Sequence, residues 1–301
     1  MPVLNVIGVP SSAGSYSVGQ EQAPRALREA GLLATLSASG YDVHDAGDLP
    51  MQAWAPDREH RLAQNLGQVV ASLRALAASV AALRSAEDRL LVIGGNCTIT
   101  LGVVAGLREV GGAPGPGLVY VDRHFDLNTP ASTTDGTLDW MGVAHALALP
   151  DAADELVDAF GERPLLTPDR LSYLGVDPQS STEWERDQVA RLRLPIVTQA
   201  ELVAGPAIAA RRAAAALPDG PIAVHVDVDV LDFIDAPIAE NVNGRNSGPT
   251  LDQLGEAIAE LWRHPSCRAL SVGEINPAHA DADPGALSRF VETLGRALMP
   301  G

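Results

Sequence analysis

Leu118-Val119-Tyr120-Val121-Asp122-Arg123-His124-Phe125-Asp126 sets a compact apolar stretch directly against three metal-capable side chains at two-residue spacing. A second stretch, from Ile222 to Val226, ends the same way in Asp227-Val228-Asp229. Alternate side chains of an extended strand project to one face. The spacing therefore predicts that Asp122, His124 and Asp126 point into one pocket at a strand's C-terminal end, with Asp227 and Asp229 entering it from a second strand. Carboxylates with an imidazole suit hard or borderline divalent ions such as Mn²⁺. Without a cation, four carboxylates held together repel strongly at low dielectric. Asp at a strand end also caps helices and shapes turns, but its repetition behind two strands favours a metal site, read here as binuclear.

Outward from these motifs, short apolar runs ending in Gly, Asp or Pro alternate with longer Ala/Leu/Arg-rich stretches, the pattern of strands and helices around a parallel sheet. Candidate strands fall at 3–8, 42–45, 90–93, 118–121, 171–176, 196–197, 222–226 and 269–272. Candidate helices fall at 24–37, 58–85, 99–109, 181–192, 205–216, 251–262 and 284–298. In the second of these, Leu62, Leu66, Val69, Val70, Leu73 and Leu76 keep the spacing of one buried face, with Asp57 as N-cap. Residues 111–117 form a glycine- and proline-rich connection. No linker interrupts the alternation, so the expectation is a single domain over 1–301. Ligands of open parallel sheets collect beyond the strands' carboxyl ends, where both acidic motifs lie. Eight βα units also suit a closed barrel.

With 46% hydrophobic and 20% charged residues the chain has a globular balance. A net charge of −17 argues against a nucleic-acid partner and suits a small cation. Cys97 and Cys267 form no disulfide framework, and neither a signal sequence nor a membrane-length apolar run is evident. The expectation is a cytoplasmic enzyme without a membrane partner.

Several ordered segments carry a family resemblance. Ile7-Gly8-Val9-Pro10, Gly19-Gln20-Glu21-Gln22-Ala23-Pro24-Arg25, Gly47-Asp48-Leu49-Pro50, Ile93-Gly94-Gly95, the Asp122 run continued by Asn128-Thr129-Pro130, the Asp227 run and Gly273-Glu274-Ile275-Asn276-Pro277 together resemble the arginase/agmatinase (ureohydrolase) family, arginases in particular. The resemblance implies a three-layer α/β/α sandwich on an eight-stranded, mostly parallel sheet, two Mn²⁺ ions and a homotrimer or homohexamer. It also implies hydrolysis of a guanidino compound to urea or a substituted urea plus an amine, by a metal-bridging hydroxide. On that basis Asp122 and Asp227 match bridging ligands, while His124, Asp126 and Asp229 complete the shells. Asp126 also matches the carboxylate that handles the nucleophile's proton, and Glu274 the guanidinium-binding carboxylate. Asn128 matches a contact to a substrate carboxylate and Asp177 a contact to a substrate amine.

The departures from that pattern are specific. Gly94-Gly95-Asn96-Cys97 stands where the family has Gly-Gly-Asp-His, so Cys97 occupies a metal-ligand position. A thiolate there favours softer ions than Mn²⁺; alternatively Cys97 is a small buried hydrophobe. Asp139 stands where arginases carry a proton-transferring His, and Asp135 where they carry a substrate-binding Ser. Arg123 should point away from the metals by alternation, and His145 should be packed rather than catalytic. The leading expectation is a metal-dependent amidinohydrolase of arginine or an arginine derivative. Alternatives are an Nω-hydroxyarginine-type hydrolase, since a Cys at this position resembles such relatives, and a non-catalytic relative with a weakened first metal site. A deacetylase-like hydrolase ranks lowest because Gly94-Gly95-Asn96-Cys97 offers no paired His.

Overall fold

The computed structural model describes residues 1–83, 88–112, 115–242 and 246–300. Its eight strands are β1 (Val3–Gly8), β2 (Asp42–Asp48), β3 (Arg89–Ile93), β4 (Gly117–Val121), β5 (Leu171–Val176), β6 (Ile196–Thr198), β7 (Ile222–Asp227) and β8 (Cys267–Gly273). They form one sheet in the order β2-β1-β3-β8-β7-β4-β5-β6, with every pairing parallel. The sheet is open, with β2 and β6 at its edges, which removes the barrel alternative, and it is parallel throughout rather than mostly so.

The helices are α1 (Ala23–Glu29), α2 (Leu32–Ala38), α3 (Leu66–Ala81), α4 (Ile99–Gly111), α5 (Gly142–Ala146), α6 (Asp154–Val157), α7 (Glu183–Leu192), α8 (Gln199–Ala204), α9 (Pro206–Ala215), α10 (Leu251–Arg263) and α11 (Ala286–Ala297). Strand alternation divides the core between two layers. Leu91, Ile93, Val119, Val121, Val224 and Val226 face α1, α2 and α8–α11, whereas Leu90, Val92, Leu118, Tyr120, Leu171 and Tyr173 face α3–α7. Burial on both faces is what makes these strands read as continuous apolar runs.

Three helix expectations differ from the structure. The helix expected over 24–37 is split into α1 and α2 because Gly31 adopts φ 93°, the left-handed region that stops a helix. The helix expected over 58–85 begins only at Leu66, and its residues 84 and 85 lie outside the described ones, as do residues 113 and 114 of the glycine-rich connection. Asp57 is not its N-cap. Its Oδ1 instead accepts the backbone N–H groups of Glu59 (3.1 Å) and His60 (3.0 Å), folding 57–65 into turns that leave Leu62 49% exposed. The short helices α6 and α8 were not foreseen, whereas α5 lies where a helix start two residues before His145 is expected.

Candidate metal centre

The four central strands β3, β8, β7 and β4 are consecutive neighbours, and each delivers candidate ligands from just beyond its carboxyl end. Cys97 follows β3, Glu274 follows β8, Asp227 ends β7 with Asp229 behind it, and Asp122, His124 and Asp126 follow β4. Their donor atoms fall into three groups, each within 4.8 Å: Asp122/His124/Asp227/Asp229, Cys97/Asp227/Glu274 and Cys97/Asp122/Asp126.

The convergence does not come from strand alternation, because β4 stops at Val121 and Asp229 lies in a 3-10 turn over Val228–Val230. It comes from one turn used twice. Asp122 Oδ1 accepts the N–H of His124 at 2.6 Å, and Asp227 Oδ1 accepts the N–H of Asp229 at 2.7 Å. Each leading Asp thereby bends the chain through an Asx-turn and leaves its second oxygen facing the pocket. Asp126 (φ 52°) and Glu274 (φ 64°) are both held in the left-handed region, a strain of about 1–3 kcal/mol per residue that clusters at functional sites. Between β3 and Cys97 the chain turns through Gly94 (φ 87°) and Gly95 (φ 79°), both in the left-handed region, and a Cβ on Gly94 would lie 2.5 Å from Pro24 Cδ.

Asp122, Asp126, Asp227, Asp229, Glu274 and Cys97 are buried, and His124 is partly so. Burial, then Asp229, lifts the Asp122 carboxyl to about 6. Burial, then neighbouring carboxylates, raises Asp126, Asp227 and Glu274 well above the usual range. Burial also raises the Cys97 thiol, with Asp227 next in effect. For His124 burial opposes protonation, but Asp229 and Asp122, 3.1 and 3.4 Å from Nδ1, outweigh it and raise its pKa. Two buried acceptors, Asp122 Oδ2 and Asp229 Oδ1, have no hydrogen-bond partner. Orphaned oxygens inside a packed carboxylate cluster are what a divalent cation satisfies, so this donor set fits metal.

The centre opens into a cavity of about 370 Å³ whose wall includes Tyr16, Asp135, Thr137, Asp139, Trp140, Thr182 and Glu274 and, among the described residues, no Lys or Arg. Glu274 Oε1 accepts the Cys97 N–H at 2.8 Å, and Oε2 accepts from Gln20 Nε2. Asp139 is partly buried; its Oδ1 accepts the Trp140 N–H at 2.8 Å, and burial lifts its carboxyl to about 7. Two expected substrate contacts do not reach the wall. Asn128 is fully enclosed and its Oδ1 accepts from Ser132 and Thr182, while Asp177 accepts from Gln179 N and Ser180 Oγ to close a 3-10 turn. Their hydrogen-bond partners Thr182 and Ser180 do line it.

Arg123 points away from the donors, its guanidinium bonding the Asp229 carbonyl at 3.1 Å and the Ser247 carbonyl and hydroxyl at 2.8 Å. His145 is packed between the Met141 carbonyl and the Ala153 N–H. Sequence reasoning passed over Gln20, Tyr16, Tyr120 and His225. The last two left a faint signal, a single polar ring two residues before each leading Asp in an otherwise apolar strand.

The arginase family model matches residues 3–295, and the chain belongs to that family. It is 30% identical over 199 residues to an arginase of Bacillus subtilis (strain 168), covering 66% of this chain and 65% of that protein. It is 35% identical over 144 residues to arginase-1 of Homo sapiens, covering 48% of this chain but only 44% of that one. In three dimensions an arginase from Bacillus cereus superposes with a TM-score of 0.84 at 25% identity, over 100% of this chain and 99% of that chain. A formimidoylglutamase from Bacillus subtilis shares the fold with a TM-score of 0.74 at 20% identity, over 99% and 86% of the two chains.

Proposed function

We propose that this chain is a metal-dependent hydrolase of a small cationic guanidino compound, arginine or an arginine derivative, releasing urea or a substituted urea and an amine. The observation that carries the reading is the convergence of Cys97, Asp122, His124, Asp126, Asp227 and Asp229 beside Glu274 in a cavity whose described lining has no Lys or Arg. Asp122 and Asp227 each belong to two of the three donor groups, which supports bridging roles, and the carboxylate-rich set supports two Mn²⁺, or a softer ion beside Cys97. When bound, such a pair activates water as a nucleophile near neutrality.

The chain's own residues do the rest. Glu274, held from two sides by Cys97 N and Gln20, offers its negative charge to the planar guanidinium. Asp126, whose Oδ2 accepts from Tyr120, takes the nucleophile's proton. Asp139, with a carboxyl near 7, returns a proton to the leaving amine, as a group matched to working pH should. Asp135 contacts the substrate tail at the mouth, and Asn128 and Asp177 shape that wall from behind.

Cys97 at a metal-ligand position favours a second substrate reading, Nω-hydroxyarginine, which would release hydroxyurea and the same amine as arginine. Urea or hydroxyurea release with Mn²⁺, Co²⁺, Ni²⁺ or Zn²⁺ across arginine, hydroxyarginine, agmatine and guanidino acids decides between them. No turnover of any guanidino compound overturns the enzymatic reading, and absence of bound metal after reconstitution favours a non-catalytic relative. The family assignment further supports one ureohydrolase-like domain over 1–301 and a cytoplasmic homotrimer or homohexamer, which light scattering and cell fractionation check.

A further inference from the structure

Beneath the centre, four residues on adjacent strands form one cross-strand row. Ser271 on β8 pairs with His225 on β7, His225 with Tyr120 on β4, and Tyr120 with Tyr173 on β5. The His225 ring is fully buried and stacked on Tyr120, centroids 4.9 Å apart and planes inclined by 27°. Its Nδ1 lies 2.9 Å from Ser271 Oγ, and its Nε2 lies 3.4 Å from Cys97 Sγ. Tyr120, stacked beside it, donates its hydroxyl to Asp126 Oδ2. The site is cut to the imidazole, because a Cβ on Gly273 would sit 3.3 Å from its Cε1.

We propose that His225, braced by Ser271 and by the Tyr120 ring, is the positioning residue that holds Cys97 Sγ in the metal donor set. The proposal rests on reading this centre as a metal site. A cysteine side chain turns about one bond, and a buried thiol without polar neighbours behaves as a small hydrophobe free to choose its rotamer. Here Sγ is fixed between two rigid groups, His225 Nε2 and Asp227 Oδ2 at 3.2 Å. The imidazole cannot swing aside, since its far nitrogen is tied to Ser271 and its face is covered. Outer partners of this kind orient ligands, and their loss costs about 10-fold to 100-fold in metal affinity. Cys97 and Asp126, both members of the Cys97/Asp122/Asp126 group, are thus supported from below by two stacked rings, so their placement is coupled.

The test is metal binding by the full chain, read by titration with Co²⁺ alone, by the sulfur-to-cobalt charge-transfer absorption, and by metal content after reconstitution with Mn²⁺. His225→Phe is expected to abolish the sulfur band and weaken one of two bound ions by about 10-fold or more, leaving the other in place. Ser271→Ala, which keeps the imidazole and removes its brace, should weaken the same ion by a smaller factor and serves if the larger change prevents folding. In a Cys97→Ala background, Ser271→Ala and His225→Phe should each shift metal affinity no further. A further loss there, or an intact sulfur band in Ser271→Ala and His225→Phe, overturns the positioning role while leaving the metal centre standing. Failure of the unsubstituted chain to bind any ion overturns the metal reading and this inference with it.

Discussion

Asp122 and Asp227 do at the scale of single residues what neither strand could do alone, since each commits one oxygen to a turn and presents the other to the pocket. Asp139 is the group on which the proposed chemistry turns. Burial places its carboxyl near 7, so the protonated acid is lost as pH rises through that value. Asp139→Asn is expected to lower turnover by about 100-fold or more and to erase the alkaline fall of kcat; steady-state profiles between pH 6 and 9 check this. His145 gives a stability signature independent of the centre. Burial pushes its pKa down to about 4, below the roughly 6.5 of the unfolded chain. Its contribution is therefore fully present above about 6.5 and is lost as pH falls toward 4, with a limit of about 3 kcal/mol. Urea midpoints of the parent and His145→Gln should converge by an amount of that order between pH 7 and 4, and parallel curves would refute the assignment.

Among the elements, α3 and α4 are packed at glycine distance. A Cβ on Gly106 would lie 2.5 Å from Val80 Cβ and 2.7 Å from the Ala77 carbonyl. Alanine favours a helix over glycine by up to about 1 kcal/mol, but overpacking costs about 1–3 kcal/mol. Gly106→Ala should therefore lower Tm despite the better helix former, which calorimetry reads directly; a rise would show that the helices separate freely. The six inner strands were legible because burial on both faces writes each as a short apolar run closed by Gly or Asp, whereas the edge strands β2, largely exposed, and β6, three residues long, carry a weaker signal. Helix starts were not, because an Asx-turn at Asp57 and an N-cap look alike in sequence. The metal motifs were legible as residue types but for an incomplete reason: two-residue spacing serves an Asx-turn as well as an extended strand. The row under the centre was invisible, since Ser271, His225 and Tyr120 become neighbours only once the order β8-β7-β4 is known.

For the molecule as a whole, the carboxylate cluster ties stability to ion occupancy. A ligand bound only by the folded state adds about 2.7 kcal/mol at one hundred times its Kd. Chelation should accordingly lower Tm by several degrees, with recovery on re-adding Mn²⁺, whereas Asp122→Asn should show a smaller chelator response. Strand order adds a consequence in time. β3 and β4 follow one another in the chain but are separated in the sheet by β8 and β7, the last two strands. Before those two enter, Cys97 and Asp122 sit at the margins of separate three-stranded halves, β2-β1-β3 and β4-β5-β6. The centre is therefore a seam that closes when residues 222–273 slot between the halves, and such long-range parallel insertion is slow. A refolding chain should gain far-UV ellipticity before it can take up Co²⁺, so that ion capture marks the closing stitch of the fold.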